Sequence, residues 1–281
     1  MLKNIMKVKN TYLMLLVVII CIIAILTNIT NKKSEVLKKS EENNFKKIEE
    51  VKDNKKIEWG IKREKNHIKP DVGRRNKEIL EKYKGICLES GDTNKIYLTF
   101  DEGYEAGYTD EILDILKINE VKATFFLTAH YVNTSEELVK QMIEEGHIIG
   151  NHTVNHKSMP TLNDVEVEKE IMDLHRVVKE KFKYNMKYIR PPMGEFSERT
   201  LNIIKELGYI TTMWSFAYED WNENKQPSKE YTINKILENA HSGEIILLHG
   251  NSKTNMEVLD EIIKEIKSMG YVFASLDEFQ K

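Results

Sequence analysis

The hydrophobic pattern divides the chain into three kinds of sequence. Residues 13–26 carry no polar side chain, residues 31–57 are dominated by charged side chains without a sustained apolar face, and from residue 96 short apolar runs alternate with amphipathic stretches. An apolar run preceded by Lys3, Lys7 and Lys9 is typical of an export signal or a membrane anchor with its N-terminus in the cytoplasm. We therefore predict a cytoplasmic segment over 1–10, an anchor or signal peptide over 11–30, a charged linker over 31–57 and one domain over 58–281.

Two interpretations of the apolar run stay open. The run is short for a membrane span, which favours a cleaved signal peptide. No small-x-small cleavage site follows it, which favours an uncleaved anchor. A buried core helix would need an amphipathic stripe, which the run lacks. Either of the first two interpretations places the domain outside the cytoplasm, anchored in the membrane or secreted.

From residue 96 onward the pattern predicts an α/β domain. Apolar runs typical of buried strands occupy 96–100, 123–127, 147–151, 188–191, 210–216, 245–248 and 271–276. Helical periodicity occupies 109–118, 135–145, 163–181, 197–207, 231–240 and 255–269, and Asn163 with Glu166 forms a capping pair at one helix start. Such alternation favours a parallel sheet with crossover helices, and seven strands fit either a doubly wound sheet or a barrel.

The charge balance excludes some function classes. Lys and Arg total 42 against 45 Asp and Glu, a net charge of −3, which argues against a nucleic-acid-binding protein because such proteins carry a basic excess. No feature of the sequence indicates a protein partner. Cys21 and Cys87 provide neither a disulfide framework nor a cysteine metal site, so any metal would need His and carboxylate ligands.

Candidate functional residues, most of them polar, lie at the carboxyl ends of five of the predicted strands. In chain order these residues are Asp101, Glu102, Tyr104, His152, His156, Arg190, Asp220, Trp221 and, at the sixth strand, Leu247 and His249. Taken singly, each has an ordinary explanation as a solvated turn, a helix cap or a core residue. Because the carboxyl ends of parallel strands meet at one edge, their joint placement indicates one active site.

The residue types fit a hydrolytic site. His152 and His156, four residues apart, are able to face one metal ion. Asp101 and Glu102 point in different directions from a strand end, so one carboxylate fits a metal ligand and the other a general base. Arg190 precedes two prolines and is suited to hold a carboxylate with its fixed fork.

These residues also stand in the order of a known family's motifs. The segments 99–103, 152–156, 190–194, 220–221 and 247–249 resemble T-F-D-D-G, H-[ST]-x-x-H, R-x-P-x-G, D-x-x-D-W and L-x-H of the polysaccharide deacetylases, carbohydrate esterase family 4, which share the NodB homology domain. The resemblance covers about residues 58–281. Further matches over 59–62, 97–101, 103–105, 107–109, 196–201 and 247–252 resemble the PdaA-type delta-lactam-biosynthetic de-N-acetylases of spore-forming bacteria.

The resemblance implies a distorted (β/α) barrel of about seven parallel strands and a metal-dependent hydrolase. Its partner would be the peptidoglycan glycan strand, and its reaction N-deacetylation. In the subgroup the implied substrate is peptide-free N-acetylmuramic acid of the spore cortex, on the route to muramic delta-lactam. The implied location is the forespore or cell-wall compartment.

The resemblance also assigns roles. A divalent metal, Zn²⁺ by preference with Co²⁺ or another ion also compatible, would be held by His152, His156 and Glu102. The remaining roles are base for Asp101, held by Arg190; acid for His249, oriented by Asp220; oxyanion donor for the backbone near Tyr104; and acetyl pocket for Trp221 and Leu247.

Two positions depart from the family pattern. Glu102 replaces the second Asp of the first motif, and Ala217 replaces the first Asp of the fourth. Two alternatives therefore remain. One is a deacetylase of another glycan, such as wall N-acetylglucosamine, chitooligosaccharide or an O-acetyl ester. The other is a non-catalytic, membrane-tethered wall-binding module, which Glu102 favours and which the retained Asp101 and His249 disfavour.

Overall fold

The computed structural model describes residues 53–64 and 66–280. In chain order its strands are β1 (Ile57–Glu58), β2 (Lys95–Glu102), β3 (Thr124–Leu127), β4 (Ile148–Asn151), β5 (Tyr188–Ile189), β6 (Glu195–Phe196), β7 (Ile210–Thr211), β8 (Glu244–His249) and β9 (Val272–Phe273). The helices are α1 (Arg74–Lys82), α2 (Thr109–Ile118), α3 (Ala129–Thr134), α4 (Glu136–Glu144), α5 (Asp164–Phe182), α6 (Glu198–Glu206), α7 (Lys229–Leu237) and α8 (Lys253–Ser268).

Most of the N-terminal predictions concern residues that the structure does not describe. The segments 1–10 and 11–30 and the linker up to residue 52 lie outside the described residues, and the domain boundaries stay predictions. Among the residues that are described, no helix has the length and apolar character needed to cross a membrane.

The central sheet consists of parallel strands that are buried on both faces. Its order is β7-β5-β4-β3-β2-β8, and β9 pairs with the beginning of β2. Along β2, β3 and β4 nearly every residue is buried, including Phe100, Phe125 and Ile149. Continuous burial, rather than alternation, is expected where helices cover both faces of a parallel sheet.

The helices cover the sheet through amphipathic faces. The predicted capping pair at the start of α5 is confirmed, because Asn163 accepts from the Glu166 backbone N–H and the Glu166 side chain accepts from Asn163 N–H. The same helix buries Val167, Ile171 and Leu174 at helical spacing. All six predicted helices are present, and α7 begins at residue 229 rather than 231 because Ser228 caps it.

The sheet curls into a half-barrel, and a short segment links its two edges. All seven predicted strands are present, but the fifth is regular only over Ile210–Thr211. Beyond it, Thr212 forms a parallel bridge with Ile86 and Phe216 forms one with Ile246 of β8. The expected barrel is therefore closed by isolated bridges rather than by a continuous ladder.

The strand register gathers the polar residues at one edge. Asp101 of β2 pairs with His249 of β8, and Asn151 at the end of β4 pairs with Ile189, next to Arg190. Paired residues on neighbouring strands lie about 5 Å apart. The fold therefore brings the predicted acid–base residues into one row.

Candidate active site

Asp101 lies at the end of β2 and is held by a buried arginine. Arg190 Nη1 donates to Asp101 Oδ1 at 2.7 Å, while its Nη2 donates to the Thr99 hydroxyl and its Nε to the Thr212 carbonyl. Burial raises the pKa of the Asp101 carboxyl, but the charges of Arg190, His152 and His249 outweigh burial and bring the pKa below its ordinary value. Asp101 is therefore a carboxylate with one oxygen fixed and the other available.

His152 and His156 lie on a tight loop after β4. His152 Nδ1 is 2.9 Å from the Arg190 carbonyl, and because a carbonyl only accepts, Nδ1 carries the hydrogen and Nε2 the lone pair. The two imidazole rings lie 4.7 Å apart, centroid to centroid. Burial lowers the pKa of His152 to about 4, so the ring is neutral at neutral pH.

The backbone of this loop is strained, and hydrogen bonds maintain it. Thr153 has φ 68° and His156 has φ 54°, in the left-handed region that a β-branched residue rarely adopts. The Thr153 backbone N–H donates to the Asn151 side chain, and the His156 N–H donates to the Thr153 hydroxyl. Such strain is found where the surrounding structure fixes a functional geometry. Here it turns both imidazoles toward Asp101.

His249 ends β8 and is paired with a fully buried carboxylate. Its Nδ1 donates to Asp220 Oδ1 at 2.7 Å, its backbone N–H donates to Asp220 Oδ2 at 2.9 Å, and Asn255 Nδ2 donates to the same oxygen at 2.6 Å. Burial lowers the pKa of His249, but the charge and hydrogen bond of Asp220 outweigh burial and raise it above its ordinary value. His249 is therefore suited to donate a proton from Nε2.

Glu102 points away from these groups. Its carboxyl is buried against Gly250, where no Cβ would fit, and its Oε1 has no hydrogen-bond partner. Burial, together with the charges of Glu105 and Asp101, raises the pKa of Glu102 well above its ordinary value. Neither cavity of the site is lined by Glu102. Its role as a metal ligand stays a prediction.

Two adjoining cavities meet at the acid–base residues. The apolar lobe, about 520 Å³, is lined by Met193, Gly194, Trp214, Ala217, Tyr218, Glu219 and Leu247. The polar lobe, about 620 Å³, is lined by Gly103, Tyr104, Thr128, His130, His152, Val154, Asn155 and Asn251. Both lobes share Asp101, His156, Trp221 and His249. An extended ligand could therefore cross the reacting centre from one lobe to the other.

The residues fit a divalent cation in part. The His152 Nε2 lone pair faces Asp101 Oδ2 at 3.4 Å, and because neither atom carries a hydrogen in these charge states, a cation beside them would relieve the repulsion. His156 supplies a second imidazole. In the described part of the chain, no group of three or more His, Cys, Asp or Glu side chains is arranged to hold a metal ion.

The structure also shows supporting residues that sequence reasoning missed. Asn255 gives Asp220 Oδ2 a second hydrogen bond, and Trp214 and Met193 form walls of the apolar lobe. Asn255 lies in the first turn of α8, six residues after His249, and its role becomes apparent only from its contact with Asp220 in the folded chain. Tyr104 donates to Glu223 and accepts from Asn251, so its side chain ties three loops together at the rim.

Comparisons with known proteins agree with this geometry. A polysaccharide deacetylase family model matches residues 89–212. The peptidoglycan-N-acetylmuramic acid deacetylase PdaA of Bacillus subtilis is 43% identical over 226 residues, 80% of this chain and 86% of that protein. The structure of Bacillus subtilis PdaA, a family 4 carbohydrate esterase, has a TM-score of 0.78 at 42% identity and covers 80% of this chain and 97% of its own. A peptidoglycan-N-acetylglucosamine deacetylase of Bacillus cereus is 36% identical over 203 residues, 71% of this chain and 94% of its own. The chain belongs to the polysaccharide deacetylase family of carbohydrate esterase family 4 hydrolases.

Proposed function

We propose that this chain removes the N-acetyl group from peptidoglycan, with peptide-free N-acetylmuramic acid as its preferred residue. One observation carries the catalytic part. Asp101 and His249 are register partners on neighbouring strands and line the same cavity, and each contacts a buried residue of opposite charge. The substrate preference is supported by the similarity to PdaA, which extends over more residues and at higher identity than that to the N-acetylglucosamine deacetylase.

Asp101 acts as the general base. Arg190 occupies Oδ1, so Oδ2 is the oxygen that accepts a proton from a water molecule in the cavity. Because the pKa of Asp101 lies below its ordinary value, the carboxylate form is present throughout the neutral range. The neighbouring Arg190 charge also holds the carboxylate in one orientation, which reduces the reorganisation needed during proton transfer.

His249 acts as the general acid on the neighbouring strand, β8. Asp220 holds Nδ1, so Nε2 is the atom that donates to the departing amine. Without that proton the tetrahedral intermediate would expel water instead of the amine and return to the substrate. The raised pKa of His249 keeps it protonated at a pH where Asp101 is ionised.

His152 and His156 would hold a divalent cation, and such an ion, when bound, polarises the acetamide oxygen and stabilises negative charge on it. Glu102 does not face that position. The acetyl methyl fits the apolar lobe between Trp221 and Leu247. The backbone N–H of Tyr104 remains our proposed second oxyanion donor.

The test uses the full chain and three glycans: peptide-free muramic-acid glycan, the same glycan with its peptides, and an N-acetylglucosamine oligosaccharide. Acetate release and mass analysis of the sugars are expected to show a free amine on peptide-free muramic acid, and Asp101→Asn is expected to abolish it. Exclusive reaction with the N-acetylglucosamine oligosaccharide would instead identify a deacetylase of another glycan. No acetate from any of the three would identify a binding module.

We also propose that the chain is exported, because its substrate lies outside the cytoplasm. The lysines and apolar run of residues 1–30 support it. Cell fractionation of the full chain, compared with a variant in which Lys3, Lys7 and Lys9 are changed to Glu, is expected to place the wild type with the membrane or the medium. Wild-type protein confined to the cytoplasm would contradict this part of the proposal.

A further inference from the structure

A segment ahead of the family-matched region packs behind residues that line the apolar lobe. β1 pairs antiparallel with β6, and the Trp59 backbone N–H donates to the Gly194 carbonyl at 2.9 Å. The Trp59 indole N–H donates to the Trp214 carbonyl, also at 2.9 Å. Because Gly194 and Trp214 line the apolar lobe, residues 57–63 are fixed against the wall of the substrate cavity.

Arg63 ends this segment with its charge held against the backbone of Ala217, a residue that lines the apolar lobe. Its Nη2 donates to the Ala217 carbonyl, and its guanidinium carbon lies 5.7 Å from the centroid of the Phe216 ring. Neither contact involves a carboxylate, so neither neutralises the guanidinium. The exposed Arg63 side chain therefore presents a positive charge beside Ala217, which itself lines the apolar lobe.

The residue at position 217 is part of the same arrangement. The family motif has an Asp at this position, and a carboxylate there would pair with Arg63 and repel an anionic substrate. Alanine removes that carboxylate and leaves its backbone carbonyl to orient the guanidinium. The acidic residues that do line the lobe are Asp101, which is paired with Arg190, and Glu219.

We propose that Arg63 is a specificity-determining residue that binds the lactyl carboxylate of N-acetylmuramic acid, an inference that rests on the proposed function. That carboxylate is carried on the sugar carbon next to the acetamide, so it lies close to the reacting carbonyl. It is free only after the peptide has been removed, since in a peptide-bearing strand it forms an amide. A guanidinium fork matches a carboxylate and gains far less from an amide, so Arg63 provides a physical basis for selecting peptide-free residues.

The test compares two substrates on the full chain. One is peptide-free muramic-acid glycan, and the other is the same glycan with its lactyl carboxylate converted to a simple amide. Arg63→Gln is expected to raise KM for the carboxylate glycan about tenfold, with kcat nearly unchanged, because one charge-assisted hydrogen bond is lost. The KM for the amide glycan is expected to stay at the wild-type value.

Two further variants and a control make the result specific. Ala217→Asp is expected to raise KM for the carboxylate glycan only, and Arg63→Lys is expected to recover part of the loss. Lys62→Gln removes the same charge from a neighbouring, largely exposed side chain that pairs with Glu64, and it is expected to leave both KM values unchanged.

The outcomes separate the two proposals. Wild-type deacetylation of muramic acid together with an equal effect of Arg63→Gln on both glycans, or an equal effect of Lys62→Gln, would overturn the role of Arg63 alone. Wild-type protein that leaves muramic acid acetylated would overturn the proposed function, and the role of Arg63 with it.

Discussion

Replacing Asp220 with Asn is expected to move the alkaline limb of the pH–rate profile to lower pH. His249 must be protonated to act as the acid, so activity falls as the pH rises through the pKa of His249. Burial lowers that pKa and Asp220 more than compensates for it. When the carboxylate charge is removed, burial dominates, and the pKa of His249 falls below its ordinary value.

The size of the shift follows from the contact. Asp220 is fully buried and its Oδ1 lies 2.7 Å from His249 Nδ1, so solvent screens the pair little. An opposite charge in such contact shifts a pKa by about one to three units. At a pH above the pKa of His249 in both the wild type and the variant, each unit by which that pKa falls reduces the protonated fraction of His249 about tenfold. If the Asn oxygen accepts from Nδ1, its NH2 group faces the His249 backbone N–H and the Asn255 amide, so a fall in rate at every pH is expected in addition to the shift.

The assay is acetate release by the full chain across the neutral and alkaline range. Asp173→Asn is the matched control, because it removes the same charge from a partly exposed residue of α5 that pairs only with Arg176 in the described ion pairs. An alkaline limb that stays in place while the rate falls equally at every pH would refute the reasoning and leave Asp220 a purely structural role. An equal shift in Asp173→Asn would assign the effect to net charge.

Three further outcomes are expected. Asp101→Asn should lower the deacetylation rate at least a hundredfold and also lower the melting temperature, since it leaves the buried Arg190 charge uncompensated at a cost of about 3–5 kcal/mol; wild-type turnover would contradict the base assignment. His152→Ala should lose bound metal by elemental analysis after loading with Zn²⁺, and full occupancy would refute its role as ligand. Glu244→Gln should raise the free energy of unfolding relative to wild type, increasingly as pH rises above about 4.5 and by at most about 1.4 kcal/mol per pH unit. Burial raises the pKa of the Glu244 carboxyl. The stability that the protonated wild type has is therefore lost as pH rises through that pKa, whereas Gln does not titrate. Thermal melts across pH measure this difference, with exposed Glu238→Gln as control, and parallel curves for wild type and Glu244→Gln would contradict it.

The parts of the fold that were predictable from sequence are those with local periodicity. The seven strands and six helices each have an apolar run or an amphipathic stripe of their own. The helices α1, which buries only Leu80, and α3, which is six residues long, were not predicted because neither has a long amphipathic stripe. The two-residue strands β1 and β6 were not predicted either, because two residues carry no period and their pairing depends on a partner more than a hundred residues away. The closure of the sheet through Thr212 and Phe216 was not predictable for the same reason, because it consists of isolated bridges to residues that are distant in sequence.

The active-site prediction had a similar limit. Strand ends carrying Asp101 and His249 are recognisable because a polar residue directly after a buried strand must meet other strand ends. Adjacent Asp101 and Glu102 were expected to point in different directions, and they do: one lines the cavity and the other packs on Gly250. Which of the two reaches a metal depends on the curvature of the strand end, which residue order alone does not determine.

The two buried ion pairs serve proton transfer better than they serve stability. Taking Asp101, Arg190 and Asp220 out of water costs more free energy than a surface pair of the same residues, and apolar replacements of similar size would often be as stable. Catalysis needs a base that is ionised and an acid that is protonated at the same pH, and Arg190 lowers the pKa of Asp101 while Asp220 raises that of His249. Since Asp101 and His249 also act on each other's pKa, loss of either partner disturbs both limbs of the profile. Changes at Arg190 and Asp220 should therefore combine non-additively, as expected for residues that act as one unit.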